Sequence, residues 1–195
     1  IISSVVPQIT TVAKLAVEKI LKKEVLVVGA GIKTGLNIRI DNPAQLGSDL
    51  VVDSVAAIAE YPAPLLIFDM GTANTVCVID KNKNYIGGMI YPGIGVSLDS
   101  LTAHASQLGG ISLEAPEHII GKNTAECMKS GTIYSSAAAI DGIIDRLAEE
   151  LDGEATVIAT GGLANKVVPY CRRKIILDDN LLLKGLAVIY RKNRK

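Results

Sequence analysis

Leu65-Leu66-Ile67-Phe68-Asp69-Met70-Gly71-Thr72-Ala73-Asn74-Thr75, continued by the apolar run Val76 to Ile79 and closed by Asp80, sets the reading of this chain. Four apolar residues lead into an acid, a Gly-Thr-Ala-x-Thr turn follows, and a second apolar run returns. That order predicts a buried strand, a tight polar hairpin and a returning strand. Gly71 lets the backbone approach a ligand closely, and Thr72 and Thr75 add hydroxyls to the turn amides. Asp69 stands where a buried strand opens to solvent, a place to hold a hydrated Mg²⁺. Together these parts make a nucleotide-phosphate site. The same residues also suit a hairpin whose Asp and Thr side chains merely satisfy the turn backbone, and both readings stay open.

Downstream of this hairpin, Lys81 to Asn84 reads as a polar turn and Tyr85 to Ile90 as a third strand, giving a meander. Tyr91-Pro92-Gly93 turns the chain into a helix over about Ser97 to Gln107. Gly121-Lys122-Asn123-Thr124 precedes another helix. Ile140 to Leu151 is amphipathic, with Asp141, Asp145, Arg146, Glu149 and Glu150 outward. Thr156 to Thr160 reads as a strand, Gly161-Gly162-Leu163-Ala164 leads into a short helix, and Leu181 to Tyr190 forms the last one. Upstream, Thr10 or Thr11 is the expected cap of a helix to about Lys23 with Val12, Leu15, Ala16 and Ile20 on one face. Val25 to Val28 reads as a short buried strand, Gly29 to Gly35 as a Gly-rich turn, and Leu36 to Ile40 as extended. Asn42-Pro43 breaks that segment. Asp49 to Ala59 suits a buried helix, and Tyr61-Pro62-Ala63-Pro64 is the linker between residues 1–62 and 63–195. A meander followed by alternating helices and strands predicts an α/β fold with a mixed sheet. The opening Ile1-Ile2-Ser3-Ser4-Val5-Val6-Pro7, without Met, reads as the tail of a strand entering a helix, with further residues expected upstream.

The chain has 195 residues, 49% of them hydrophobic, with 20 basic and 20 acidic side chains. A sizeable core is therefore possible, and balanced charge offers no general attraction to nucleic acid. With no Trp and one Phe, base-stacking platforms are scarce. The basic end, Arg191 to Lys195, reads as a solvated tail. Cys77, Cys127 and Cys171 are odd in number and form no Cys-x-x-Cys pair, which argues against a disulfide framework or zinc site and suits a reducing cytoplasm. No apolar run approaches the roughly 20 residues of a membrane span, and no signal peptide is visible.

Several segments carry two readings each. Gly29-Ala30-Gly31 follows a strand, but the spacing is G-x-G-x-x-x-G and an extended segment follows, so dinucleotide binding is rejected. Lys33-Thr34 lacks the Walker A order. A loop lining a small-molecule pocket, or a plain turn, remains. Asp49 in Gly47-Ser48-Asp49 is either an N-cap or a base or substrate-positioning acid. Ala159 to Ala164 is either a tight βα turn or a seat for a base, ribose or anion. His104 and His118 have no ligand-spaced partner and read as surface residues.

These signals fall in one order: Gly29-x-Gly31-x-Lys33-Thr34-Gly35, Asn42-Pro43, Gly47-x-Asp49, Asp69-x-Gly71-Thr72-Ala73-x-Thr75, Gly87-Gly88-x-Ile90-x-Pro92-Gly93, Gly121-Lys122-Asn123-Thr124 and Thr160-Gly161-Gly162-Leu163-Ala164. The series resembles type III pantothenate kinases, some of which are called Bvg accessory factors, from Ser3 to about Asn193. The resemblance implies an actin-like ATPase (ribonuclease H-like) fold of two related α/β halves with mixed sheets and ATP between them. It implies a homodimer with a shared substrate pocket, and ATP-dependent phosphorylation of pantothenate with Mg²⁺ and a monovalent cation, K⁺ or NH₄⁺. Separately, balanced charge, scarce aromatics and the lack of a long apolar run argue against a nucleic-acid or membrane partner. By position, Asp49 resembles the base that takes the pantothenate hydroxyl proton. Asp69, Gly71, Thr72, Ala73 and Thr75 resemble a phosphate loop, with Asp69 reaching Mg²⁺ through water. Gly161 and Gly162 resemble the adenosine end, Gly31, Gly35 and Gly47 the substrate side, and Thr124 a residue reaching the partner's pantothenate site.

The chain departs from the family pattern at Leu50, where the family has Arg, and at Cys77, where an acid linked to monovalent-cation binding is usual. Ile40 replaces a Tyr, and Ala105-Ser106-Gln107-Leu108-Gly109 replaces a Thr-Ala-x-Leu-Pro segment. The resemblance places the family's first phosphate loop, Asp-x-Gly-Asn-Thr, upstream of Ile1. These departures also admit a catalytically impaired paralogue with a regulatory or ligand-sensing role, or a kinase of a different small alcohol.

Overall fold

The structure, a computed structural model, describes residues 1–105 and 108–194. In chain order the elements are α1 (Pro7–Leu21), β1 (Asn37–Ile38), a 3₁₀ turn (Pro43–Gln45), α2 (Ser48–Glu60), β2 (Leu65–Met70), β3 (Ala73–Ile79), β4 (Asn84–Pro92), α3 (Ile94–His104), α4 (Thr124–Glu150), β5 (Thr156–Thr160), α5 (Ala164–Val167), a second 3₁₀ turn (Val168–Tyr170), β6 (Ile176–Leu177) and α6 (Leu181–Asn193). The strands form one six-stranded sheet in the order β1-β4-β3-β2-β5-β6. β1 runs parallel to β4, and β5 parallel to β6. The two-residue turn at Gly71 and Thr72 allows only an antiparallel return, so the sheet is mixed. The expected α/β class with a mixed sheet is what the chain forms. By packing, the chain makes two compact units: Ile1–Leu65 with Cys77–Gly87 and Asn180–Lys195, and Leu66–Val76 with Gly88–Asp179.

In the first unit, α1 begins three residues before the expected threonine caps. Pro7 occupies a first-turn position, where its missing N–H costs nothing. Thr10 and Thr11 instead donate their hydroxyls to the Val6 and Pro7 carbonyls at 2.9 and 3.3 Å. No residue of α1 is buried. The strand expected at Val25 to Val28 is reduced to a single parallel bridge, Ile2 to Val27, because the Gly-rich turn ends the pairing at once. A core of Val28, Val52, Val55 and Ile189 joins α2 to α6, with Leu36, Leu182 and Leu186 packed against it. Gly185 makes this approach possible, since a Cβ there would lie 2.7 Å from Val52 Cγ1. Asp80 organises the β3–β4 turn by accepting the Asn82 and Asn84 amides at 2.9 and 2.8 Å.

In the second unit, Leu66, Ile67, Phe68 and Met70 are at most 1% exposed. α3 starts at Ile94, earlier than Ser97, because Gly93 already stands as its N-cap. Its expected end at Gln107 lies outside the described residues. The two helices expected between Thr124 and Leu151 are one helix, α4, of 27 residues. It contains no proline, and Gly131 and Gly142 each cost only about 1 kcal/mol, too little to break it. Its Asn123 cap accepts the Glu126 amide at 3.0 Å, and Glu126 Oε2 accepts the Lys122 amide at 3.0 Å. β5 falls where expected. β6, paired Ile158 to Ile176, was not anticipated, because two residues carry no periodicity. α6, in the first unit, runs past Tyr190, so Arg191 to Asn193 are helical and not a free tail.

Candidate functional site

The residues singled out around Asp69 are assembled by backbone turns of the second unit. β2 carries its four buried apolar residues to Asp69, which is half-buried, and the chain reverses at Gly71 and Thr72. β5 lies beside β2 and delivers Gly161 to the same end. At Gly161, φ is +93°, and a Cβ would fall 2.6 Å from both Met70 N and Met70 O and closer still to Asp69 Oδ1. Only glycine meets both conditions. The Leu163 amide donates to Met70 O at 3.1 Å, locking the two turns together. From the other side the Gly93 amide donates to Thr72 O at 3.0 Å, and a Cβ on Gly93 would lie 2.7 Å from that oxygen. Three glycine turns therefore converge on Asp69, Gly71 and Thr72. Thr72, Ala73 and Gly162 are exposed, so the cradle opens to solvent.

Thr75 does not cap the turn. It belongs to β3, and its hydroxyl is enclosed with no hydrogen-bond partner among the described residues. Asn74, 2% exposed, and Tyr91, whose hydroxyl burial pushes to a raised pKa, form a polar layer behind the turn. Neither was singled out from sequence. In the sequence Asn74 stands beside Thr75 at the start of β3 and Tyr91 near the end of β4, and neither position carries a pattern that marks a buried polar layer.

Asp49 lies in the first unit, in the first turn of α2. Gly47, not Asp49, is the N-cap. Asp49 Oδ1 accepts the Leu50 amide at 2.9 Å and lies where a Cβ on Gly47 would meet it at 2.5 Å. The half-buried carboxylate thus sits in the first turn of a 13-residue helix, among amides with no partner inside the helix. Among the described residues no Lys or Arg forms an ion pair with it. Gly31 and Gly35, in the same unit, hold φ of +87° and +76° in a loop tied to α6.

Thr124 opens α4 and is exposed. It lines a groove of about 420 Å³ with Ser97, Leu101, Met128 and Thr132. Cys77 on β3 is 1% exposed and hydrogen-bonded to Tyr85 and Ser54, and burial pushes its thiol up to about 12. It is a neutral group at neutral pH and an unsuitable ligand for a hard cation. Among the described residues no group of three or more His, Cys, Asp and Glu is arranged to hold a metal, so Asp69 would need phosphate oxygens and water to complete a Mg²⁺ shell. The half-buried Asp69 beside a cradle that a Cβ would fill is compatible with that. No helix among the described residues is long and apolar enough to cross a membrane. His104 is exposed, its Nδ1 2.8 Å from Ser100 O, and His118 is also exposed.

A family model described as type III pantothenate kinase matches residues 1–146. A type III pantothenate kinase from Exiguobacterium sp. is 45% identical over 195 residues, covering 100% of this chain and 76% of the relative. One from Bacillus cytotoxicus is 45% identical over 193 residues, covering 99% and 74%. A crystal structure of a Baf family protein from Campylobacter jejuni, described as a transcriptional activator, superposes with a TM-score of 0.52 at 18% identity, covering 92% of this chain and 80% of that one. At that identity the likeness is one of fold. A family model over three quarters of the chain and relatives 45% identical along its whole length settle the descent, and the chain belongs to the type III pantothenate kinase family.

Proposed function

We propose that this chain transfers the terminal phosphoryl group of ATP to pantothenate, giving 4'-phosphopantothenate, the first step of coenzyme A synthesis. The observation that carries the reading is the glycine-built cradle at Asp69, Gly71, Thr72 and Gly161 in a chain of this family. Asp69, Gly71, Thr72, Ala73 and Thr75 would serve the ATP phosphates, and Gly161 and Gly162 the adenosine end. Asp69 would hold Mg²⁺ through water, and Mg²⁺-ATP supplies a phosphoryl group whose charge is partly neutralised. Gly31, Gly35 and Gly47 would line the pantothenate side. Asp49 would accept the proton of the attacking hydroxyl: the hydroxyl oxygen bonds to phosphorus, the bond to the ADP oxygen breaks, and the proton passes to the carboxylate. Because Oδ1 is engaged by the Leu50 amide, Oδ2 is the receiving oxygen.

The finer expectations belong to the same proposal. Residues 1–62 are read as the remainder of an N-terminal actin-like half and 63–195 as the C-terminal half. The enzyme is read as a cytoplasmic homodimer in which Thr124 serves the partner's pantothenate pocket, using K⁺ or NH₄⁺ at a position other than Cys77. Pantothenate-dependent ADP release with Mg²⁺, with and without K⁺, tests the reading beside Asp49→Asn. Turnover that requires pantothenate and disappears in the variant supports it. A folded protein that binds ATP and never turns over pantothenate overturns it. Light scattering that returns a monomer removes the shared pocket.

A further inference from the structure

The Gly-rich loop is not held by its neighbours in sequence. Lys33 donates its amide to Asn193 Oδ1 at 3.0 Å, and its carbonyl accepts from Asn193 Nδ2 at 2.9 Å. One side-chain amide therefore engages both backbone groups of one residue, as an adjacent strand would. The two residues are 160 positions apart. Asn193 Nδ2 also donates to Ile189 O at 2.8 Å, which fixes the side chain against its own helix. Lys192 Nζ donates to Thr34 O at 2.8 Å and occupies the space a Cβ on Gly35 would need. The helix that carries these groups is anchored, with Leu181, Gly185 and Ile189 buried. The loop is not: Gly29, Ala30, Gly31, Lys33 and Gly35 are all exposed.

We propose that Asn193, with Lys192, is a positioning residue for the alcohol substrate. The last turn of α6 holds the Lys33–Gly35 backbone in the shape that receives pantothenate. The inference rests on the reading that Gly31 and Gly35 line the substrate side. Neither side chain touches the reacting atoms, so losing the clamp weakens pantothenate binding and leaves ATP binding and the phosphoryl step in place. A helix anchored through Leu181, Gly185 and Ile189 and holding a short exposed loop also explains why α6 continues through residues that are polar and basic.

Asn193→Ala decides it, with Arg191→Ala as a control on the same turn, and Lys192→Met as a second variant should Asn193→Ala fold poorly. Hydrogen exchange at the Lys33 amide and separate KM values for pantothenate and ATP are the readouts. We expect Asn193→Ala to speed exchange at Lys33 and to raise the pantothenate KM about fivefold to tenfold, the loss of one or two net hydrogen bonds. The ATP KM stays within about twofold, and Arg191→Ala moves neither value. Exchange at the native rate in Asn193→Ala overturns the clamp. Faster exchange with an unchanged pantothenate KM, or with both KM values raised alike, overturns its role toward the substrate. A wild-type protein without pantothenate-dependent turnover defeats the functional reading, while the exchange experiment still decides the clamp.

Discussion

Asp49 is held by one oxygen at the start of α2, which leaves its shape almost independent of its charge. Asp49→Asn keeps a carbonyl oxygen for the Leu50 amide and removes only the base. We expect kcat to fall about 10² to 10⁴-fold, with the melting temperature little changed, in an ADP-release assay. The three cysteines separate by environment. Cys127 is exposed, whereas Cys77 and Cys171 are pushed up to about 12, Cys171 by burial and then by Asp141. A thiolate is the reacting species, so a disulfide reagent at pH 8 should label one thiol rapidly and the others only on unfolding, and Cys127→Ser should abolish the fast phase. The residue types at Asp49, Asp69 and Gly161 could be picked out from sequence. The cap could not: Gly47 holds that position because the 3₁₀ turn before it sets the entry of the chain.

The turn after β5 and the start of α4 are the elements whose chemistry is easiest to break. Gly161→Ala meets a left-handed φ, worth about 1–2 kcal/mol, and a Cβ pressed on the Met70 backbone. We expect a lower melting temperature together with loss of ATP affinity, measured by thermal unfolding and nucleotide titration. A stable variant with native ATP affinity would remove Gly161 from the cradle. Asn123→Ala deletes the cap of α4 and should lower stability by about 1 kcal/mol in urea unfolding. β2, β3, β5 and α2 could be placed from sequence because long apolar runs and helical periodicity are local signals. β1 and β6, two residues each, exist through their partners β4 and β5. The single span of α4 is also illegible, since the amphipathic pattern is plain only from Ile140 and nothing local joins that stretch to the helix start at Thr124.

For the molecule as a whole, the buried Cys77 thiol sets an alkaline limit. Cys77 remains protonated in the fold, while in the unfolded chain it ionises from its ordinary value of 9.0. Its contribution is fully present below pH 9.0 and is lost as pH rises toward about 12. Stability should therefore fall above pH 9 with a slope approaching about 1.4 kcal/mol per pH unit from this group. Cys77→Ala should flatten that limb when unfolding midpoints are compared at pH 8, 9.5 and 11. The class of fold, the buried hairpin and the family were set by local chemistry: apolar runs, glycines and acids in a fixed order, each of which acts on its immediate neighbours. The convergence of Gly93 and Gly161 on Asp69, the isolation of Cys77 from water, and the hold of Asn193 on Lys33 came only with folding. Each joins residues far apart in the chain, and no local pattern encodes which backbone group another segment will meet.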